Sequence, residues 1–235
     1  MRSMSRAAVL LCVTAALPFA LTACGSDDSA DGKAAATGAA PAKDPDAGLA
    51  TGARLKKALA PASFFGSGYS LDKSAARDTG GTYQKQASHP EDLAHPDCTK
   101  LGGTSWIALT GDEGVSFAQN DYVNADSSVD IAQEVDAFRR ATAGTVMEHL
   151  KKAVTACSTY KDADTKSQVK VAGAATAGLG DSAYTITLTD PVWTNGTTLI
   201  AVRKGTAVVT VMSTDGHDNG AATAEKLAKR VTGSL

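Results

Sequence analysis

Two serine and lysine pairs have the spacing of a catalytic nucleophile and its activating base. Ser70 and Lys73 in "SLDK", and Ser158 and Lys161 in "STYK", match the S-x-x-K pattern of penicillin-binding enzymes. The serine of that pattern opens a helix, but the flanking residues predict a strand at Ser70 and the end of a helix at Ser158. The lysine-threonine-glycine run that accompanies the pattern is also missing from the sequence. We therefore predict that neither pair is catalytic.

Other residues whose types can support catalysis or ligand binding do not combine into a recognisable site. The glycines of segment 173–179 have the spacing of a phosphate-binding loop, but a leucine stands where the lysine is needed. His149 is predicted inside a helix, half-buried or at the surface, and His217 in a solvated turn. Trp106 and Trp193 are predicted in strands. We expect both to pack in or at the rim of the core, in preference to forming a platform that binds a sugar. The sequence thus predicts no enzyme activity, no cofactor and no metal site.

The start of the chain predicts a targeting segment. A positively charged beginning precedes an apolar run that is short for a membrane span. The run ends in "LTA" directly before Cys24, an order that resembles the lipobox of bacterial lipoproteins. The resemblance implies a signal peptide at residues 1–23 and a diacylglyceryl anchor on Cys24, whose two acyl chains hold a protein stably at a membrane. The alternative is a secreted protein with a chance cysteine.

Two further cysteines remain after export. Cys98 and Cys157 form an even pair, which in an oxidising compartment predicts a disulfide. Closing a loop of about sixty residues contributes roughly 4 kcal/mol through loop-closure entropy. Two alternatives stay open. One is a metal site that includes His89 and His95, which lie in a proline-containing loop before Cys98, and the other is a pair of free thiols.

A tether and one domain follow the lipobox cysteine. Residues 24–50 are dense in Gly, Ala, Pro and Asp and contain no aromatic residue, so they predict a disordered linker. Residues 51–235 are long enough for one domain with its own core. Removal of the two signal-peptide arginines changes the formal net charge from −2 to −4. This charge predicts no binding to nucleic acid and no polybasic contact with anionic lipid.

One long helix is predicted near the middle of the domain. Segment 127–160 opens with a near capping box at Ser127 and Asp130. Its apolar positions then recur in steps of three or four, which is typical of one helical stripe; they are Ile131, Val135, Phe138, Thr142, Val146, Leu150, Val154 and Cys157. A disulfide at Cys157 would fasten the end of this helix to the loop carrying Cys98, directly before a strand.

The segments around this helix predict an α+β fold. Period-two patterns indicate a mainly antiparallel sheet of five to seven strands, with hairpin turns at Asn195-Gly196 and in "RKGT". The predicted strands are "GYSLD", "SWIALTG", "VSFAQNDYV", "QVKVAG", "YTITLTD", "TTLIAVRK" and "TAVVTVMST". Two shorter helices, in "GARLKKALA" and "NGAATAEKLAKRV", are predicted to cover the same face as the long one. In the last helix, Asp218 or Asn219 is the predicted cap, and Leu227 and Val231 share a face.

The order of these features resembles a family. The lipobox and linker, "LKKALAPASFFGSGYSLD", "HPDCTKL", "VSFAQNDYVNADSSVDIAQEVDAFRRAT", "GLGDSAYTITL" and "AVRKGTAVVTVMS" are similar to those of actinobacterial sensor-domain lipoproteins. That family is related to the extracellular domain of the mycobacterial serine/threonine kinase PknH. The resemblance covers nearly the whole mature chain and implies a mixed helix and sheet fold with a cleft that binds an extracellular ligand.

The expected function is therefore non-catalytic ligand binding or sensing at the outer face of the cell membrane. The expected partners are the membrane, through the lipid anchor, and an unknown small molecule or cell-wall fragment. The first alternative is a structural or chaperone-like envelope protein that acts through an apolar surface on another envelope protein. The second alternative is an enzyme, for which Ser70, His89 and His149 are the residues to test.

Overall fold

An open antiparallel sheet organises the computed structural model, which describes residues 44–85 and 92–235. Cys24 and His89 lie outside the described residues. The eight strands of the described part follow the order β1-β2-β3-β8-β7-β6-β5-β4 across the sheet. They are β1 (Tyr69–Asp78), β2 (Ser116–Asn124), β3 (Asp130–Ala137), β4 (Thr159–Lys161), β5 (Gln168–Thr176), β6 (Ser182–Thr189), β7 (Thr197–Lys204) and β8 (Ala207–Ser213). The predicted α+β class is confirmed, with eight strands in place of five to seven.

Helices pack on both faces of the sheet, so the prediction that they share one face is wrong. They are α1 (Gly52–Lys56), α2 (Thr142–Ala156) and α3 (Ala221–Thr232), with short 3₁₀-helices at Ala62–Phe64, Cys98–Gly102 and Trp106–Thr110. Alternate residues of β7 show the two layers. Leu199 and Ala201 pack in the core on the α2 side, whereas Ile200 and Val202 pack in the core on the α3 side.

The first half of the predicted long helix is a strand, so that prediction is wrong between residues 127 and 137. Ser127 has a left-handed φ of 57° in the turn before β3 and does not cap a helix. Ile131 and Val135 lie four residues apart, a spacing that fits both a helical turn and one face of a strand. Pairing with β2 and β8 on either side makes this segment an interior strand. The second half of the stripe is confirmed, since α2 buries Val146, Leu150 and Val154.

Segment 105–111 is also not a strand. Trp106–Thr110 forms a 3₁₀-helix that buries Trp106, Ile107 and Leu109 in the core beside α2. Residues 106–109 are four consecutive apolar residues, and such a run in a sequence resembles a buried strand. This resemblance explains the wrong prediction. Cys98 likewise begins a 3₁₀-helix, where the sequence predicted a loop leading into a strand.

The two predicted hairpin turns have different outcomes. Gly205, with a φ of 60°, and Thr206 form the tight connection between β7 and β8, as predicted for "RKGT". Asn195-Gly196 is no such turn, because residues 190–196 form the longer connection from β6 to β7. Gly196 is needed there for a close approach instead. A Cβ atom at this position would lie 2.4 Å from the carbonyl oxygen of Leu188.

Hydrogen bonds fix the start of α3. Gly220 occupies the N-cap position, and the Asp218 carboxylate accepts a hydrogen bond from the backbone N–H of Ala222 at 2.9 Å. Asn219 has another role, because its side chain accepts from the backbone N–H of Gly196. Leu227 and Val231 are fully buried on one face, as predicted.

Covalent and polar contacts tie the outer segments to the domain. The predicted disulfide is present and joins Cys98 to Cys157 at the C-cap of α2. Residues 44–50, which the sequence assigns to the linker, also contact the domain: Arg139 makes a two-pronged hydrogen bond to Asp46, and Ser116 donates to the carbonyl of Ala50. Of the helices in the described residues, none is both long and apolar enough to cross a membrane.

Candidate functional site: two clefts at the ends of one strand

Polar residues line one face of strand β3. Because side chains alternate along a strand, Asp130, Glu134 and Asp136 share the face that α2 covers further along the sheet. Helix α2 itself contacts β5, β6 and β7, so another segment covers β3 on this face. That segment contains Thr104, Ser105 and the 3₁₀-helix at Trp106–Thr110. A cleft opens at each end of this arrangement.

The larger opening, which we name the tryptophan cleft, has a volume of about 410 Å³. It lies where β3 and β7 begin and where β6 and β8 end. Its lining residues are Gly102, Ser127, Ser128, Asp130, Asp162, Leu188, Trp193, Thr194, Asn195, Thr197, Met212 and Thr214. This set contains two carboxylates and no Lys, Arg or His. Leu188 and Met212 give the cleft an apolar floor that belongs to the core beneath α2.

The two carboxylates of the tryptophan cleft differ in their surroundings. Burial, together with the negative charges of Asp121 and Asp72, raises the pKa of Asp130 to about 6. Asp162 instead accepts hydrogen bonds from the backbone N–H of Thr165 and from its hydroxyl, which lower its pKa. The cleft therefore holds one carboxylate that is ionised under most conditions and one that takes up a proton in mildly acidic solution.

A braced loop presents Trp193 to this cleft. The Asp190 carboxylate accepts a hydrogen bond from the backbone N–H of Val192 at 2.9 Å, and the Asp190 carbonyl accepts from the N–H of Trp193 at 3.2 Å. Ser167, in the turn before β5, donates to the other oxygen of the same carboxylate. Trp193 is half-buried and packs against the core with part of its ring. The sequence placed Trp193 in a strand, whereas the structure places it in this loop.

The smaller opening, which we name the acidic cleft, has a volume of about 250 Å³ at the far end of β3. Its lining residues are Arg77, Gln84, Ser105, Ile107, Ala108, Asp112, Glu113, Gly114, Phe117, Glu134 and Asp136. Four carboxyl groups therefore face one guanidinium. Glu134 and Asp136 are 6% and 4% exposed, which is unusual for ionisable side chains.

Arg77 forms one wall of the acidic cleft. Its Nη2 donates to the Ser105 hydroxyl at 2.6 Å, and its Nε donates to the Gln119 side-chain carbonyl at 2.8 Å. The guanidinium also lies 5.6 Å from the centre of the Phe117 ring, within the range of a cation–π contact. Ser105 in turn donates to Glu134 Oε2 at 2.9 Å. These contacts hold the positive charge at the edge of the carboxyl pair.

Asp136 lies deepest in the acidic cleft. Its Oδ2 atom is buried and has no hydrogen-bond partner among the described residues. The backbone at Gly114 lies so close that a Cβ atom there would be 2.7 Å from Asp136 Oδ1. Burial, and then the negative charge of Glu134, raises the pKa of Asp136 well above its usual range. Burial is also the main cause of the raised pKa of Glu134.

A histidine borders the acidic cleft on the α2 side. His149 Nδ1 lies 2.7 Å from Asp112 Oδ2, and 30% of the histidine side chain is exposed. The sequence prediction of a half-buried or surface histidine inside a helix is confirmed. Its aspartate partner, which lies 37 residues earlier in the chain, could not be predicted from local sequence.

The remaining predicted residues lie apart from both clefts. Ser70 is exposed in strand β1, and Ser158 is exposed just after α2, as the sequence predicted. His217 is exposed in a turn, and His95 contacts Asp92 at the surface. Within residues 44–85 and 92–235, His, Cys, Asp and Glu side chains form no group of three or more that could hold a metal ion.

The chain matches no protein-family model, and no curated protein matches it. The assignment of a function therefore depends on the two clefts and on the sequence features described above.

Proposed function

We propose that this protein is a lipid-anchored extracytoplasmic lipoprotein whose domain binds a small ligand in the tryptophan cleft without catalysing a reaction. The observation that carries the proposal is the cleft itself, whose volume of about 410 Å³ falls in the usual range for small-molecule sites. Its mixed lining of an aromatic ring, apolar floor residues and a few polar groups is typical of such sites.

The lining favours a polyhydroxylated ligand such as a cell-wall saccharide. The flat face of Trp193 offers an apolar surface for the C–H face of a sugar ring. Asp130, Asp162 and Asn195 offer side-chain oxygens that accept hydrogen bonds from sugar hydroxyls. The absence of Lys, Arg and His from the lining disfavours a phosphate or carboxylate ligand.

The anchor is proposed from the N-terminal sequence. The "LTAC" order at residues 21–24 and the following polar, proline-containing segment support lipidation of Cys24 and a tether at the outer face of the cell membrane. The similarity to sensor-domain lipoproteins supports the same placement. We expect Cys24→Ala to abolish incorporation of a palmitate analogue and to release the protein from the membrane fraction. Unchanged labelling of the variant would contradict the proposed anchor.

Tryptophan fluorescence of the full chain tests the proposed ligand site. The chain contains only two tryptophans, and Trp106 is fully buried in the core, so Trp193 is the reporter of cleft binding. We expect muropeptides or short cell-wall oligosaccharides to change the emission saturably. Variants at position 193 lack this reporter, so their saccharide binding is measured by calorimetry. Trp193→Phe should keep an aromatic platform with weaker binding, and Trp193→Ala should lose binding by about tenfold or more, as for loss of a central aromatic contact.

Val192→Ala is the matched control for the fluorescence experiment. Val192 adjoins Trp193 in the same loop, is 62% exposed and does not line the cleft. This variant should bind with unchanged affinity. If Trp193→Ala binds as well as the native chain, or if no saccharide of the panel binds, the proposed function of the cleft is wrong.

A further inference from the structure

The acidic cleft contains two buried carboxyl groups that do not stabilise the fold. Burying a carboxyl group without a full set of hydrogen bonds reduces the stability of a fold. Only 4% of Asp136 is exposed, and its Oδ2 atom has no hydrogen-bond partner among the described residues. Glu134 lies beside it and is almost as deeply buried. Ionisable groups that lower stability and line a cavity are typical of functional sites.

In the described part of the chain, carboxyl groups outnumber cations around this pair. Among the described residues, Arg77 from β1 is the one cation that lines the cleft, and two of its donors hydrogen-bond to Ser105 and Gln119. His149 from α2 contacts Asp112. The other charges that act on the carboxyl pair are negative, namely Glu113 on Asp136 and Asp121 on Glu134. The raised pKa values of the pair keep a proton on it, and a bound cation would take the place of that proton.

One wall of the acidic cleft shows how the surrounding residues hold a guanidinium group. The Arg77 guanidinium lies over the Phe117 ring and within hydrogen-bond distance of a hydroxyl and an amide oxygen. A volume of about 250 Å³ has ample room for a group of guanidinium size. We propose that the acidic cleft is a second ligand site, separate from the tryptophan cleft, which binds a small organic cation of the guanidinium or primary amine class against Glu134 and Asp136.

Calorimetry with the full chain tests this site directly. The probe is methylguanidinium chloride, and the matched probe is N-methylurea, which has nearly the same shape and no charge. We expect methylguanidinium to bind in the millimolar range, consistent with a ligand of so few atoms, and methylurea to bind at least about tenfold more weakly. Titration in two buffers of different ionisation enthalpy should show release of up to about one proton per ligand bound at neutral pH, because a bound cation favours the ionised carboxyl.

Two variants and one control locate the binding. Asp136→Asn and Glu134→Gln should each weaken methylguanidinium by about tenfold or more, since each removes a charge that faces the ligand. Asp130→Asn changes a carboxyl on the same face of β3 at the other cleft and should bind methylguanidinium normally. A thermal unfolding midpoint for Asp136→Asn at or above that of the native chain would show that lost binding does not result from lost folding.

Several results would overturn the proposal. They are the lack of any methylguanidinium binding up to about 50 mM, equal binding of methylurea, undiminished binding by Asp136→Asn and Glu134→Gln, and loss of binding in Asp130→Asn. Saccharide binding at Trp193 is measured separately by fluorescence, so failure of one site leaves the result for the other intact.

Discussion

The two faces of strand β3 bury polar side chains in opposite ways. On the α1 and α3 side, Gln133 is fully buried between Ile131 and Val135, and both ends of its amide are used. Its Oε1 accepts from the backbone N–H of Ala60 at 2.9 Å, and its Nε2 donates to the carbonyl of the same residue at 2.7 Å. On the other face, Asp136 keeps one buried oxygen that no described residue pairs with.

This difference separates a structural polar group from a functional candidate. A satisfied amide fixes the path of the segment at residue 60 and leaves nothing for a ligand to bind. A carboxyl pair with an incomplete set of partners beside a cavity lowers stability and retains the capacity to bind. The same strand thus stabilises the core with one face and lines both clefts with the other.

Loss of the disulfide should have the largest effect on stability. The bond joins the 3₁₀-helix at Cys98 to the end of α2, so it closes the covering layer on the cleft face. Replacing Cys98 and Cys157 by serine should lower the free energy of unfolding by about 4 kcal/mol, because the unfolded chain gains loop entropy. Urea unfolding with and without reductant measures this effect. Reductant should destabilise the native chain alone, and a loss below about 1 kcal/mol would contradict the prediction.

Truncation on the apolar face should have the next largest effect. Ile131 is fully buried beneath α1 and α3, so Ile131→Ala should cost about 3 kcal/mol through lost burial and the cavity that remains. Both clefts should keep their ligands in this variant at temperatures where it stays folded. Urea unfolding gives the cost, and a loss of ligand binding by the folded variant would show that the two faces are not independent.

Replacement of the satisfied amide should have a moderate effect. Gln133→Leu leaves the buried N–H of Ala60 without a partner and should lower stability by about 2 kcal/mol. Tyr122→Phe is the comparison variant, because it removes a different hydrogen bond to the carbonyl of Ala60 and leaves that N–H paired. Chemical unfolding of both should give the smaller loss for Tyr122→Phe, and the reverse order would show that the N–H contact is not the important one.

Substitutions of the cleft carboxyls should have an effect whose size depends on pH. The pKa of Asp130 is raised to about 6 in the folded chain, above the value of about 3.9 for an unfolded aspartate. The unfolded chain therefore ionises first as pH rises, and this group makes the native protein less stable between those two values. Asparagine does not titrate. Relative to the native chain, Asp130→Asn should thus gain stability from about pH 4 to 6 and then hold that gain.

Asp136→Asn should follow the same sign. Burial is the main cause of the raised pKa of Asp136, as it is for Asp130. The stability difference between this variant and the native chain should therefore grow as pH rises past the range in which an unfolded aspartate ionises. Unfolding at a series of pH values measures both curves. A difference that shrinks as pH rises would mean that Asp136 is stabilised in its ionised form.

Much of the sheet could be predicted because its signal is local. Strands β5 and β6 alternate in sequence, β7 and β8 are short apolar runs rich in β-branched residues, and the Gly205 turn joins these two as expected. The candidate site was harder to predict. Glu134 and Asp136 have the sequence appearance of a solvated helix face, and only burial between β2 and β8 makes them unusual. The residue type of Trp193 is visible in the sequence, but its position in a loop at a cleft is not.

The sequence by itself determined the class of the fold, the pairing of Cys98 with Cys157, and the amphipathic faces of α2 and α3, because these depend on residue type and short-range period. Tertiary structure decided that residues 130–137 form a strand, since the spacing of Ile131 and Val135 fits helix and strand equally. It also decided that helices cover both faces of the sheet. The clefts arise from contacts between segments far apart in the chain, and no local pattern encodes such contacts.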